Sequence, residues 1–211
     1  MSHSVVELRC PNCNASVSTD QQICDWCHQP VIISTFTSVN DMPMPLVNKY
    51  ASVYRNALAQ NPDNMELNKS IAMCYLKLKL YDKAIPAFEK AIEETFDDAE
   101  VFFYASICLL RGKKAFLAQR RDIDKALEYI DAANMIEPKG IHYYYLAYIK
   151  YDFFERKYLN TTPTYQECLT MANKYGVSAN DINNLFSILN TPKPIFYSTS
   201  HKSGHPFTAG V

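Results

Sequence analysis

Slid against itself by 34 residues, the chain pairs Tyr54 with Phe88, Ala57 with Ala91, Pro62 with Phe96, Ala72 with Ser106 and Tyr75 with Leu109. Self-similarity at that period points to paired antiparallel helices, because one such hairpin cannot bury its apolar face without a neighbour. A further shift of 42 pairs Ala84 with Ala126, Phe88 with Ile130, Ala91 with Ala133 and Phe96 with Pro138, so the second unit carries eight extra residues between Leu109 and Ala126. Composition agrees with this, since 5 glycines in 211 residues leave little room for Gly-rich phosphate loops or serial tight hairpins. The expected fold class is all-α, a solenoid of helical hairpins.

Small Ala72, large Tyr75, then Ala84, Phe88 and Ala91 stand at the spacing of the tetratricopeptide repeat, and the chain resembles that family over roughly residues 48 to 175. Small residues let the two helices of a repeat approach closely, while the aromatics fill the gap to the next pair. Asn61-Pro62-Asp63-Asn64 and Glu137-Pro138-Lys139-Gly140 read as turns between repeats, and Val47 to Gln60 reads as a lone second helix opening the array. In the third repeat the packing positions fall on Leu146 and Ala147 or, one residue out of step, on Ala147 and Tyr151.

The second strong signal is local. Cys10-Pro-Asn-Cys13 and Cys24-Asp-Trp-Cys27 stand ten residues apart near the start of the chain. Each C-x-x-C converges two thiolates on one ion as the backbone turns, and four sulfurs close a tetrahedral zinc site with no position left for substrate. The expected cofactor is one structural Zn2+ on Cys10, Cys13, Cys24 and Cys27, not a redox or disulfide pair. Val5 to Leu8 and Val31 to Ile33 are short β-prone runs flanking the turns, in a segment too small to fold by burial alone. Residues 7 to 33 resemble the short zinc ribbons of many bacterial proteins, departing where Asn14 and His28 replace the usual glycine after each pair. His28, adjacent to a better-placed ligand, is expected to face solvent. Trp26 has two open readings, an exposed anchor for a partner or a cover over the metal.

These signals divide the chain into a zinc ribbon at 1–33, a linker at 34–46, a helical solenoid with a capping helix at 47–190 and a mobile tail at 191–211. The linker Ser34 to Leu46 has no helical period and two prolines. Thr162-Pro163 reads as a helix start, Gly176 as a stop, and Ser178 with Asp181 as the start of the last helix, to about Leu189. In the tail, His201 and His205 lack the helix or carboxylates that would complete a metal pattern. Cys74, Cys108 and Cys168 lie on apolar faces and read as core.

No nucleophile–base–acid set, H-E-x-x-H or nucleotide fingerprint is present, so a binding module is expected and not an enzyme. Without a long uncharged apolar run or a secretory leader, a soluble cytoplasmic protein with no membrane partner is expected. In the tetratricopeptide family the first helix of each repeat lines a concave groove. Carried over by repeat position, the resemblance implies a protein-partner groove of Lys69, Ser70, Met73 and Leu76, then Phe103, Tyr104, Ile107 and Leu110, continued by Tyr144, Tyr145 and Tyr148. Met73 and Ile107 occupy the positions of the asparagines with which one subset of the family clamps a C-terminal carboxylate, so a hydrophobic peptide or amphipathic helix is the better fit. The tyrosines of 143 to 158 point around most of their helix and cannot all share one surface.

The function expected is therefore a protein–protein adaptor or scaffold, the ribbon being a second docking module. The alternatives are a nucleic-acid-associated regulator, or a non-catalytic subunit of an enzyme complex. The insertion carries Arg111, Lys113, Lys114, Arg120 and Arg121 as a candidate anion-binding run. Against nucleic acid stands the overall balance, 21 basic to 22 acidic residues, and a ribbon with Arg9 against Glu7, Asp20 and Asp25.

Overall fold

The structure, a computed structural model, describes residues 5–94 and 96–196. Its helical array begins with α2 (Met44–Leu58) and continues as three hairpins: α3 (Met65–Lys77) with α4 (Tyr81–Glu94), α5 (Ala99–Leu109) with α6 (Arg120–Ile136), and α7 (Gly140–Ile149) with α8 (Tyr165–Lys174). Side-chain caps that accept from the first free backbone amides set the starts. Asn64 caps α3 by accepting from the Leu67 amide, and Asp98 caps α5 by accepting from Glu100 and Val101. Thr164 and Glu167 form a capping box for α8, so that helix begins after Pro163 and not at Thr162-Pro163. Ser178 and Asp181 do the same for α9 (Ala179–Leu189), as the sequence predicts.

The solenoid has an outer row, α2, α4, α6 and α8, and an inner row, α3, α5 and α7. Ala72, Ala84, Phe88, Ala91, Ala126 and Ala133 are all buried between the rows. Gly140 allows the closest approach: a Cβ there would lie 2.2 Å from the Gly176 carbonyl oxygen and 2.8 Å from that of Ala172. Neither backbone atom can rotate away. Gly140→Ala is expected to destabilise the protein by roughly 1–3 kcal/mol through overpacking, measurable as a lowered urea midpoint at unchanged slope.

Two expectations about the flanks change. Residues 34–46, expected as a bare linker, contain a short helix α1 (Phe36–Asn40), capped by Thr35, whose Phe36 and Val39 are buried. Residues 191–196, expected to open the mobile tail, run against the body and place Phe196 among Tyr144, Tyr151 and Tyr165 at centroid distances of 5.2–6.0 Å. The rest of that tail, with His201 and His205, lies outside the described residues.

These flanks form a third layer on the inner row. The Ile33 amide donates to Ser70 Oγ at 3.1 Å, and that hydroxyl donates back to the Ile33 carbonyl at 3.2 Å. The Phe36 amide donates to Glu100 Oε1 at 2.9 Å, and the Phe36 ring lies 4.8 Å from that of Tyr104. Lys77 donates to the Asn40 carbonyl. From the other end α9 crosses α7 and α5, and Tyr144 and Tyr148 meet its Phe186 edge-on. The expected solenoid cap thus lies on the inner face.

Candidate metal centre and docking surfaces

The N-terminal module is a two-stranded antiparallel ribbon, β1 (Glu7–Arg9) with β2 (Ser16–Ser18), Leu8 facing Val17. Val31 to Ile33, expected as a strand, is instead a buried plug on the helices, and the second strand is Ser16–Ser18. Its position is fixed by Tyr50 and Tyr54, whose hydroxyls donate to the carbonyls of Pro30 and Val31 at 2.6 Å each.

The two C-x-x-C turns are built alike. The Asn14 amide returns to the Cys10 carbonyl and the His28 amide to the Cys24 carbonyl, both at 2.9 Å. Asn14 and His28 have positive φ, 66° and 54°, the left-handed backbone that the family's glycine would supply. The four sulfurs all lie within 4.8 Å of one another, Cys10 to Cys27 at 3.6 Å and Cys13 to Cys24 at 3.7 Å. Sulfurs on a tetrahedral zinc at its usual bond length stand about 3.8 Å apart, so the donor set and its spacing suit that ion. Hydrogen bonding from the Asn12 side chain and the Gln29 backbone pulls the Cys27 thiol down to about 6, while the neighbouring Cys10 and Cys13 thiols are pushed up, so an ion binding here must displace their protons. These four cysteines could hold a metal ion, and His28, exposed, is not among the converging donors.

Trp26 does not cover the sulfurs. It is 78% exposed on the second turn, and Ile23, 56% exposed, is the other large apolar side chain exposed between the two C-x-x-C pairs. Val5, 61% exposed ahead of β1, is the module's third exposed large apolar side chain.

The groove residues carried over from the family are placed very differently. Ser70, Met73, Leu76, Phe103, Ile107, Leu110, Tyr145 and Tyr148 are all buried. Lys69, part-exposed, is tied to the α5 cap Asp98 at 2.5 Å. Tyr104 is under Phe36, and Tyr144 meets Phe186 and Phe196. The physical reason is the third layer: the face that would line a concave groove is covered by the chain's own residues 31–40 and α9. The eleven residues carried over for an open groove are instead core and interlayer contacts in this structure.

The basic run is also partly spent. Arg111 bridges Asp82 and Asp122 at 2.9 and 2.6 Å, Arg120 pairs with Asp124 at 2.7 Å, and Arg121 stands 3.8 Å from Asp122. Lys113 and Lys114 keep their charges free of ion pairs among the described residues. The insertion is not a solvated tip: Ala115 is buried in a 3-10 turn (Ala115–Leu117) whose Ala115 amide donates to Tyr148 Oη.

Cys74, Cys108 and Cys168 are buried as expected, and burial pushes the Cys74 and Cys168 thiols up to about 12. No helix among the described residues is long and apolar enough to cross a membrane.

The tetratricopeptide-repeat family matches residues 51–102, which run from the second half of α2 through the α3–α4 hairpin to the first turn of α5. No curated protein matches the chain. Among nineteen similar solved chains, one named "MamA MSR-1 C2" is 20% identical at a TM-score of 0.48, over 61% of this chain and 67% of that one. Another, named "MamA AMB-1 C2221", is 20% identical at a TM-score of 0.44, over 63% and 66% of the two chains. With the repeat spacing and the two-row packing agreeing, the protein is a helical-hairpin solenoid that matches the tetratricopeptide-repeat family over residues 51–102 and carries a four-cysteine knuckle compatible with a zinc ribbon.

Proposed function

We propose that the protein is a protein-interaction adaptor that holds one structural zinc ion in its knuckle and docks a partner on the Trp26 edge. Tetratricopeptide solenoids are interaction scaffolds, and the observation that carries the finer reading is the exposure of Trp26 and Ile23. The turns presenting them are fixed at both ends, by the cysteine cluster on one side and by Tyr50 and Tyr54 on the other. A rigid, exposed tryptophan is the kind of side chain that dominates protein interfaces, since it buries much area at little entropic cost. The flanking Glu7, Asp20 and Asp25 against Arg9 favour a partner segment that is apolar with basic flanks.

Trp26→Ala tests this. The variant should keep its zinc and its melting temperature, since the side chain packs on little, and should lose partners that co-purify with the full chain, with affinity reduced about 30-fold or more, as for a central interface residue. Undiminished recovery of the same partners by folded, zinc-loaded Trp26→Ala would remove the knuckle from the docking surface.

A further inference from the structure

A cleft of about 330 Å³ lies where three distant parts of the chain meet: Lys114 from the insertion, Tyr148 at the end of α7 with Tyr151, Asp152 and Arg156 from the turns that follow it, and Lys193 from the segment after α9. The far end of α7 leaves the α-helical path, Lys150–Phe154 forming a π-helical turn, a local widening that recurs at ligand sites.

The lining holds three cations against one carboxylate, and that carboxylate is already engaged. Asp152 Oδ2 accepts from the Phe116 amide at 2.8 Å and Oδ1 accepts from Arg156 Nη1 at 2.5 Å. Asp152, buried, therefore serves to aim Arg156, whose guanidinium is also steadied 4.5 Å above the Phe116 ring. A guanidinium has five N–H donors, so one bond to Asp152 leaves the fork available to a second anion. Lys114 and Lys193, both exposed, have no ion-pair partner among the described residues. In this they differ from Arg111 and Arg120, which acids of the helices neutralise.

We propose that this cleft binds a phosphate-type dianion, gripped by the Arg156 fork and the ammonium groups of Lys114 and Lys193. Two unpaired cations beside an oriented guanidinium complement a charge near −2, which a phosphate monoester carries at neutral pH and a single carboxylate does not. The site is independent of the knuckle. Its volume is at the low end for ligand pockets, enough for a phosphate group and the carbons that carry it. The same chemistry comes from free phosphate or from a phosphorylated side chain of a partner.

The test is calorimetric titration of the full zinc-loaded chain at low ionic strength with inorganic phosphate, a short phosphoserine peptide and its unphosphorylated form. Both phosphorylated probes are compared on wild type, Lys114→Ala/Lys193→Ala and Arg156→Lys. The double variant removes only exposed side chains, and an unchanged melting temperature verifies its fold. Saturable one-site binding, weakened about tenfold or more by either variant and absent for the unphosphorylated peptide, is the expected result. A tighter phosphopeptide assigns the source to a partner side chain, and equal affinities assign it to free phosphate. No saturable binding, or equal affinity in wild type and double variant, overturns the proposal. So does a single-stranded RNA that displaces the phosphate and loses its affinity in Lys113→Glu/Arg121→Glu but not in Lys114→Ala/Lys193→Ala.

Discussion

Stripping the metal from the knuckle is expected to unfold residues 5–30 and to loosen the helices beneath them. The module has little besides its sulfurs to hold it: Val6, Leu8 and Val17 are its buried aliphatic side chains ahead of the plug, far short of an independent core. Structural zinc sites of this type supply the folding free energy outright, of order 10 kcal/mol. The effect propagates because Val31, Ile32 and Ile33 continue directly from the second turn into the layer on α3, anchored by Tyr50, Tyr54 and Ser70. A loss of about 2 kcal/mol at that boundary lowers the melting temperature by roughly 4–8 °C for a domain of this size. Thiol counting follows the event residue class by residue class. With metal bound, none of the seven cysteines should react quickly at mildly alkaline pH. Chelation should release the four of the knuckle, and only denaturant should release Cys74, Cys108 and Cys168, which burial keeps protonated. Fast reaction of four thiols before chelation would contradict zinc binding.

Tyr145→Ala is expected to destabilise the fold by about 3–5 kcal/mol, the cost of a large cavity in a closed core. Tyr145 is 0% exposed, donates its hydroxyl proton to the Ser106 carbonyl at 3.0 Å and meets the Phe103 ring edge-on at 5.8 Å. Tyr145→Phe, which keeps the ring and drops one hydrogen bond, should cost only about 1 kcal/mol. Chemical denaturation of both variants gives the comparison. A Tyr145→Ala chain as stable as wild type would mean that the inner face is open, and the family's groove would return as the docking surface.

Sequence reading located the repeats and the knuckle because each depends on a spacing: small and aromatic residues recurring after 34 and then 42 positions, and cysteines three positions apart within each turn. Asn14 and His28 were legible for the same reason, standing where a left-handed residue must stand. The inner face was misplaced because repeat position gives a residue's row and not what lies on top of it. The sign was nevertheless in the chain. Ala99 to Leu109 is apolar on every side, and a helix of that kind is buried all round, not half exposed to a groove. Tyr143 to Tyr151 repeats the pattern. The covering layer itself escaped notice since Phe36 and Val39 make only one turn, too short for periodicity, although Thr35 and Ser38 supply a cap. The phosphate cleft could not be read from spacing at all, as Lys114, Arg156 and Lys193 meet only through the fold.

Amide hydrogen exchange on the zinc-loaded full chain tests the central claim, that the solenoid fills its own inner face. The amides of Ile33 and Phe36 donate to Ser70 and Glu100, so the account predicts exchange nearly as slow as that of α3 and α5, with α9 protected alongside. Fast exchange through 31–40 and α9, with α3 and α5 still slow, would contradict it and show a groove open to partners.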